Sequence, residues 1–252
     1  MLIRQAAAVV GFLILVVYFD LKLRWLCLIS PKSKKKQHAE EIMPEAAVTV
    51  FNLLERLTRF KIDFETDVAM EDLPEQFVIA ANHQSILDIL VLVYIFRNRS
   101  LKFITKWSLR RYMVFISNVL RKGKHGVIRR KGMLRETHRA LSRLAERTSE
   151  EDFSLIIFPE GIRSKTGKLK RFHTAGMKTI MDRSELPVVS IAMDGGWELH
   201  NFASVIWRIP NKHYKVKLLK VYDHVEKRSE VDEMVQDIRQ SILDQLTQWR
   251  EQ

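Results

Sequence analysis

The segment from Ser154 to Phe172 reads SLIIFPEGIRSKTGKLKRF and contains the features that decide both fold and site. It opens with SLIIF, a short apolar run that is typical of a strand covered on both faces. Pro159, Glu160 and Gly161 end that strand, and several cations follow them. Because loops at strand ends build the sites of α/β proteins, a carboxylate among cations at this position predicts a phosphate-binding loop.

A nucleotide-binding interpretation of this loop fails on its spacing. The run GIRSKTGK is similar to a Walker A loop, but five residues separate Gly161 from Gly167, one more than that loop allows. Leu169 follows Lys168 where a Walker A loop has Ser or Thr. The cations therefore indicate a different phosphate-bearing ligand.

The rest of the chain alternates strand and helix patterns as an α/β domain does. KIDFET and HYKVKLLKVY alternate polar and apolar residues, whereas QFVIAANH, LKFIT and LPVVSIAM are short apolar runs. Helical spacing is present in TVFNLLERLTRF, in SILDILVLVYIF with Ser85 as its predicted N-cap, and from Val231 to Trp249. We predict an α/β fold with a mixed sheet flanked by helices.

Composition limits the functional classes open to this chain. The 252 residues are 46% hydrophobic, which suffices for a sizeable core, and the single cysteine, Cys27, excludes an intramolecular disulfide. A formal net charge of +12 favours anionic lipid, a phosphorylated substrate or nucleic acid as partner. Arg97 to Arg139 contains fourteen Lys or Arg and one acidic residue, Glu136, and is either a solvated basic face or a functional surface.

The first 30 residues predict a membrane anchor. The fourteen residues of Ala6–Phe19 carry no charge, but a spanning helix needs about 20 apolar residues. Asp20, Lys22 and Arg24 then interrupt the apolar run. The anchor is therefore either a tilted single transmembrane helix or a pair of helices dipping into one leaflet. A buried helix of a soluble core is the alternative, and no signal-peptide cleavage site follows the run.

The cations that follow the anchor predict its orientation. The cluster KSKKK (32–36) favours the cytoplasmic side and an anionic membrane surface. We expect the protein to lie at the cytoplasmic face of a membrane, and specifically of a bacterial inner membrane. The predicted division is a membrane anchor over 1–30, a basic linker over 31–45 and a catalytic domain over 46–252.

Two loops contain side chains suited to catalysis. In NHQSILD, His83 leaves its strand as the chain turns into a helix, and Asp88 lies in the first turns of that helix. A carboxylate there can fix the imidazole tautomer, so that His83 acts as a general base toward a hydroxyl. The structural alternatives are a histidine that only packs at the strand end and, in FPEGIRS, a salt bridge between Glu160 and Arg163.

Together the two loops resemble the glycerolipid acyltransferase family, whose best-known members are the 1-acylglycerol-3-phosphate acyltransferases. NHQSILD is followed, 77 residues after its histidine, by the glutamate of FPEGIRS, and the resemblance runs from about Phe77 to Met193. KHGVIRRK and LPVVSIA are similar to two further family blocks. The resemblance implies a base, its carboxylate partner and an acceptor site, formed by His83, Asp88, Glu160, Gly161, Arg163 and Arg130.

The activity implied by the resemblance is transfer of a fatty acyl group to the free hydroxyl of a lysophospholipid. The acceptor would be 1-acylglycerol-3-phosphate, giving phosphatidic acid. The donor would be acyl-CoA or acyl carrier protein, a co-substrate, with no bound cofactor. Ile162 and Ser190 depart from the family pattern of Thr and Pro, so another lysophospholipid or an aminolipid is the alternative acceptor.

Absent motifs narrow the chemistry further. The sequence has no GxSxG elbow and its lone cysteine lies in the anchor, so we expect direct attack on the thioester without an acyl-enzyme. No metal-binding motif such as HExxH occurs, and no metal is expected. Alternatives of another class are a lipid hydrolase and a membrane-tethered nucleic-acid-binding protein. Nucleic acid is not the expected partner, because no recognition motif accompanies the charge.

Overall fold

A mixed seven-stranded sheet forms the centre of the computed structural model, which describes residues 2–106, 114–128, 134–200 and 202–251. Its strands are β1 (Lys61–Thr66), β2 (Val78–Ala81), β3 (Leu101–Lys106), β4 (Gly126–Ile128), β5 (Ser154–Ile157), β6 (Val188–Asp194) and β7 (His213–Tyr222). The strand order is β1-β7-β6-β2-β5-β3-β4. Strands β6 and β7 pair antiparallel and the other neighbours pair parallel, which confirms the predicted mixed sheet.

Helices cover both faces of the sheet. They are α1 (Leu2–Ile29), α2 (Lys35–Thr58), α3 (Asp88–Ile95), α4 (Val114–Lys122), α5 (Leu134–Glu146), α6 (Ala175–Met181), α7 (Phe202–Arg208) and α8 (Arg228–Glu251). Helices α1 to α4 and α7 pack with Ile79 on one face, and α5, α6 and α8 pack with Val78 on the other. Val78 and Ile79 face opposite sides of the sheet because the side chains of successive strand residues alternate.

The sequence patterns located most of the sheet correctly. KIDFET coincides with β1 and HYKVKLLKVY with β7, and each predicted apolar run overlaps a strand. The helix predicted over 231–249 is α8, whose apolar stripe docks on the sheet. Burial on both faces explains why β2, β5 and β6 are continuous apolar runs rather than alternating ones.

Two predicted helix starts were wrong. Helix α2 begins at Lys35 and so includes most of the predicted 31–45 linker. In this segment Lys36 pairs with Glu151 at 2.7 Å instead of remaining solvated. The division into anchor, linker and domain stays a prediction. Ser85 does not cap α3, which begins at Asp88; the Ser85 hydroxyl donates to the Leu199 carbonyl at 2.6 Å.

The charges that interrupt the apolar run of α1 all have partners on the protein. Lys22 pairs with Glu45 of α2 at 2.5 Å. Asp20 accepts from Arg24 one turn later at 2.7 Å and from the Asn118 side chain of α4 at 2.6 Å. These contacts hold the second half of α1 against the domain.

The outward surface of α1 is apolar. An 18-residue stretch within Ile3–Ile29 has a mean hydropathy of 2.1, and by length and composition this is the one helix among the described residues that could cross a membrane. Its exposed large side chains are Ile3, Val10, Leu13, Ile14, Val17, Tyr18, Leu21, Trp25, Leu28 and Ile29. A face of this kind is unusual on a soluble protein and is typical of a membrane contact.

Some cations of the basic segment 97–139 have internal structural roles. Lys102 of β3 has no exposed side-chain area and pairs with Glu40 of α2. Burial lowers the pKa of Lys102, so its ion pair with Glu40 keeps an otherwise unfavourable charge in place. Arg99 donates to the Pro74 carbonyl at 2.6 Å. These two side chains are therefore neither a solvated face nor a free binding surface.

Candidate active site

The two predicted loops meet at one edge of the sheet. Strands β2 and β5 are parallel neighbours, with Val78 opposite Leu155, so their carboxyl ends lie side by side. The His83 amide donates to Glu160 Oε1 at 2.6 Å, and the Ser164 amide donates to the His83 carbonyl at 2.7 Å. These two hydrogen bonds join the histidine loop to the cation-rich loop.

The Glu160 carboxylate accepts hydrogen bonds from both loops. Its side chain is buried, and Oε2 accepts from the Lys170 amide at 3.0 Å. Burial raises the pKa of Glu160, and the amide donors oppose that rise. The carboxylate binds main-chain amides and not the Arg163 guanidinium, so the salt-bridge alternative is wrong. Direct contact between Glu160 and an acceptor stays a prediction.

His83 and Asp88 form a hydrogen-bonded pair. Nδ1 of His83 lies 2.6 Å from Asp88 Oδ2, and the ring stacks on Phe158 with 4.1 Å between ring centroids. A carboxylate can only accept, so the neutral ring carries its proton on Nδ1 and leaves the Nε2 lone pair for a substrate. The histidine side chain retains 18% exposure, so part of the ring is open to a substrate.

A set of donors holds the Asp88 carboxylate in place. Oδ2 accepts from the Gln84 amide at 2.7 Å, and Oδ1 accepts from the Ser85 amide at 2.9 Å. The Tyr214 hydroxyl donates to Oδ1 as well. Asp88 has no exposed side-chain area, so these bonds replace the water that an ionised carboxylate would otherwise need.

Main-chain carbonyls hold two cations of the cation-rich loop. Gly161 has a φ of +68°, a left-handed conformation that favours glycine and turns the chain after β5. Arg163 Nη1 donates to the His200 carbonyl at 2.9 Å, and Lys170 Nζ donates to the Arg163 carbonyl at 2.8 Å. A guanidinium has five N–H donors, so this anchoring bond leaves the Arg163 fork able to bind phosphate.

Comparison with known proteins identifies the family. The family named Acyltransferase matches residues 65–194, just over half of the chain. The chain belongs to the acyltransferase family. The resemblance seen in its motifs is thereby confirmed, and the enzyme is an O-acyltransferase.

The fold of this acyltransferase is similar to a solved structure. The crystal structure of the 1-acyl-sn-glycerophosphate (LPA) acyltransferase PlsC from Thermotoga maritima aligns with a TM-score of 0.63 at 20% sequence identity. The alignment covers 92% of this chain and 96% of that chain. Comparison with curated proteins gave no match.

The structure brings together five of the six site residues that the acyltransferase motifs predict. His83, Asp88, Glu160, Gly161 and Arg163 lie on the joined loops. Arg130 lies outside the described residues. Within the described ranges, no group of three or more His, Cys, Asp or Glu side chains could hold a metal ion.

Sequence analysis missed two residues beside the His83–Asp88 pair. Phe158 stacks on His83, and Tyr214 contacts Asp88 from 126 positions later in the chain. Burial raises the pKa of Tyr214 well above its usual value, so its hydroxyl stays protonated and donates. Gly196 makes room for it, because an added Cβ would lie 2.5 Å from the Tyr214 oxygen.

Tyr214→Phe is expected to lower kcat/KM of the acyltransferase about tenfold. A hydrogen bond to a charged group contributes about 1.5–3 kcal/mol, and 1.36 kcal/mol is a tenfold change in rate. Without this donor, the Asp88 carboxylate is held less firmly in its bond to the His83 ring. Steady-state kinetics measure the loss, which should fall on kcat and leave KM for the acceptor unchanged.

Tyr222→Phe is the matched control, because Tyr222 lies on the same strand and donates to Asp237 at 2.9 Å on the surface. It should leave both kcat and KM unchanged. Equal kcat values for the two variants would show that the Tyr214 hydroxyl does not act on the His83–Asp88 pair.

Proposed function

We propose that this enzyme transfers a fatty acyl group from an acyl thioester, acyl-CoA or acyl carrier protein, to the free hydroxyl of 1-acylglycerol-3-phosphate, giving phosphatidic acid. The observation that carries the proposal is the His83–Asp88 pair with its 2.6 Å bond, joined directly to a loop rich in cations. The pair supplies a base for a hydroxyl, and the loop supplies charge for the phosphate of the same acceptor. PlsC, which has a similar fold, is named for acylation of 1-acyl-sn-glycerophosphate.

In the proposed reaction, His83 Nε2 takes the proton of the acceptor hydroxyl as the oxygen attacks the thioester carbonyl. An ester C–O bond forms and the C–S bond breaks. The imidazolium then returns its proton to the departing thiolate, which leaves as a thiol. Asp88 stabilises the charged ring throughout.

The serine side chains of the two joined loops support direct transfer. Ser85 and Ser164 donate to the main-chain carbonyls of Leu199 and Lys168, at 2.6 and 2.8 Å. Both serines are buried, so neither presents a free nucleophile to a thioester. Cys27 is buried on α1, in the predicted anchor.

We also propose that α1 holds the enzyme on the cytoplasmic face of a membrane by lying in one leaflet. Its outer face is apolar, whereas Asp20 and Lys22 make ion pairs or hydrogen bonds with α2 and α4. A straight span would break these contacts and expose both charges to hydrocarbon, at about 2.5–3.5 kcal/mol each. The leaflet-dipping arrangement keeps the contacts, so we favour it over a transmembrane helix.

A panel assay tests the proposed function. Purified full-length protein in detergent is incubated with labelled acyl-CoA, or acyl carrier protein, and lysolipids that differ in headgroup. Labelled phosphatidic acid is the expected product. Free fatty acid alone would indicate a hydrolase, and preferred acylation of an aminolipid or a phosphate-free lysolipid would replace the proposed acceptor.

Arg163→Ala is expected to raise KM for the phosphate-bearing acceptor about tenfold or more, because a charge-assisted bond contributes roughly 1.5–3 kcal/mol. Arg163→Lys should recover only part of this, since the bidentate fork is lost. Steady-state kinetics with varied acceptor measure both. Arg183→Ala, an exposed arginine paired with Glu146, is the control. An unchanged KM in both Arg163 variants would remove Arg163 from the phosphate site.

A further inference from the structure

Exposed large apolar side chains are concentrated in few places on this molecule. Among the residues whose side chains the structure describes, ten of the twelve such residues lie on α1. The other two are Ile162, which is 48% exposed on the cation-rich loop, and Trp207, which is 66% exposed on α7. A single exposed apolar residue is normal on a protein, so Ile162 and Trp207 indicate a binding surface only if they continue the apolar face of α1.

Helix α7 connects these places. It packs against α1, and its Val205 joins the core cluster that also includes Phe12 and Leu15 of α1. At its other end the chain passes through His200, whose carbonyl accepts the Arg163 hydrogen bond at 2.9 Å. The path from the apolar face of α1 to the candidate acceptor site therefore runs along α7.

The chemistry of the exposed end of α7 suits the boundary of a bilayer. Trp207 has an apolar ring and a polar N–H, a combination enriched at the headgroup level of membranes. Arg208 follows it and is exposed, so a cation lies beside the indole where anionic headgroups would lie. Trp249, by contrast, is buried with α8 on the opposite face of the sheet.

We propose that α7 and Ile162 form a second membrane-contact surface, which continues the apolar face of α1 and seats the candidate acceptor loop against the headgroups of an anionic bilayer. The inference rests on the proposed membrane function of α1. It deepens that function, because an acceptor lysolipid could then reach Arg163 and His83 while its acyl chain stays in the bilayer.

Depth-dependent quenching tests this surface without an activity measurement. Full-length protein is bound to phosphatidylcholine–phosphatidylglycerol vesicles that contain lipid spin-labelled near the headgroup, and the quenched share of tryptophan emission is recorded. Trp207→Phe should lower that share, as should Trp25→Phe, which reports the exposed face of α1. Trp249→Phe should not lower it, since it removes a buried emitter. If Trp207→Phe behaves like Trp249→Phe, the surface does not contact the membrane.

An activity arm tests the seating of the acceptor loop. Trp207→Ser should lower the rate on lysolipid presented in vesicles about tenfold, while the rate on a dispersed short-chain lysolipid stays unchanged and the protein still floats with vesicles. If Trp207→Ser had wild-type rates on both substrates, or lost the same factor on both, the proposed contact of the acceptor loop with the headgroups would be wrong. Absence of acyl transfer by the wild-type enzyme would refute the proposed function, and the quenching result would still decide the surface.

Discussion

His83→Ala is expected to lower kcat for acyl transfer by about 10²–10⁴-fold, the usual cost of losing a general base. The ring is held by Asp88 and Phe158 at the end of β2, so its removal takes away the base without disturbing the sheet. Initial rates of product formation with saturating donor and acceptor measure the effect. A circular dichroism spectrum like that of the wild type shows that the variant is folded.

A second histidine–aspartate pair provides the control. His213 Nδ1 lies 2.7 Å from Asp63 Oδ2, and His213 is 53% exposed. This pair has similar geometry, but the His213 side chain leaves the opposite face of the strand from its neighbour Tyr214, which contacts Asp88, so His213→Ala should leave kcat unchanged. Wild-type turnover by folded His83→Ala would mean that another group acts as base.

Asp88→Asn is expected to reduce kcat nearly as strongly, by about 10²–10⁴-fold. The asparagine keeps the shape of the side chain, but an amide nitrogen that faces His83 must donate. The ring then accepts at Nδ1 and carries its proton on Nε2, which cannot take a proton from a hydroxyl. Initial-rate assays measure the loss.

The matched substitution for this test is Asp63→Asn, which changes the exposed pair in the same way and should have no effect on turnover. Thermal unfolding of both variants separates chemistry from stability, because Asp88 is buried and accepts several hydrogen bonds. A fully active, folded Asp88→Asn enzyme would exclude the proposed tautomer control.

The sequence was sufficient for most of the sheet and for the two loops because both depend on local patterns. Continuous apolar runs identify β2, β5 and β6, since these strands are covered on both faces. His83 and Glu160 follow directly where two of these runs end. Their meeting then follows from the parallel pairing of β2 and β5, which places both strand ends at one edge.

Features that depend on distant partners could not be read from local patterns. Lys102 looked like one cation of a basic segment, but Glu40, 62 residues earlier, holds it in the interior. Tyr214 is one apolar position of an alternating strand, and only the antiparallel pairing of β7 with β6 brings it toward Asp88. Strand β4 has three residues, too few to show a period.

The most direct test of direct acyl transfer is the intact mass of the full-length enzyme after incubation with acyl-CoA alone. Ser85 and Ser164 are buried and hydrogen-bonded, so neither is a free nucleophile, and His83 needs an acceptor hydroxyl to act on. We predict an unchanged protein mass with donor alone, and acylated lipid only after 1-acylglycerol-3-phosphate is added. A protein whose mass increases by one acyl group before acceptor is added, and falls when acceptor arrives, would contradict direct transfer.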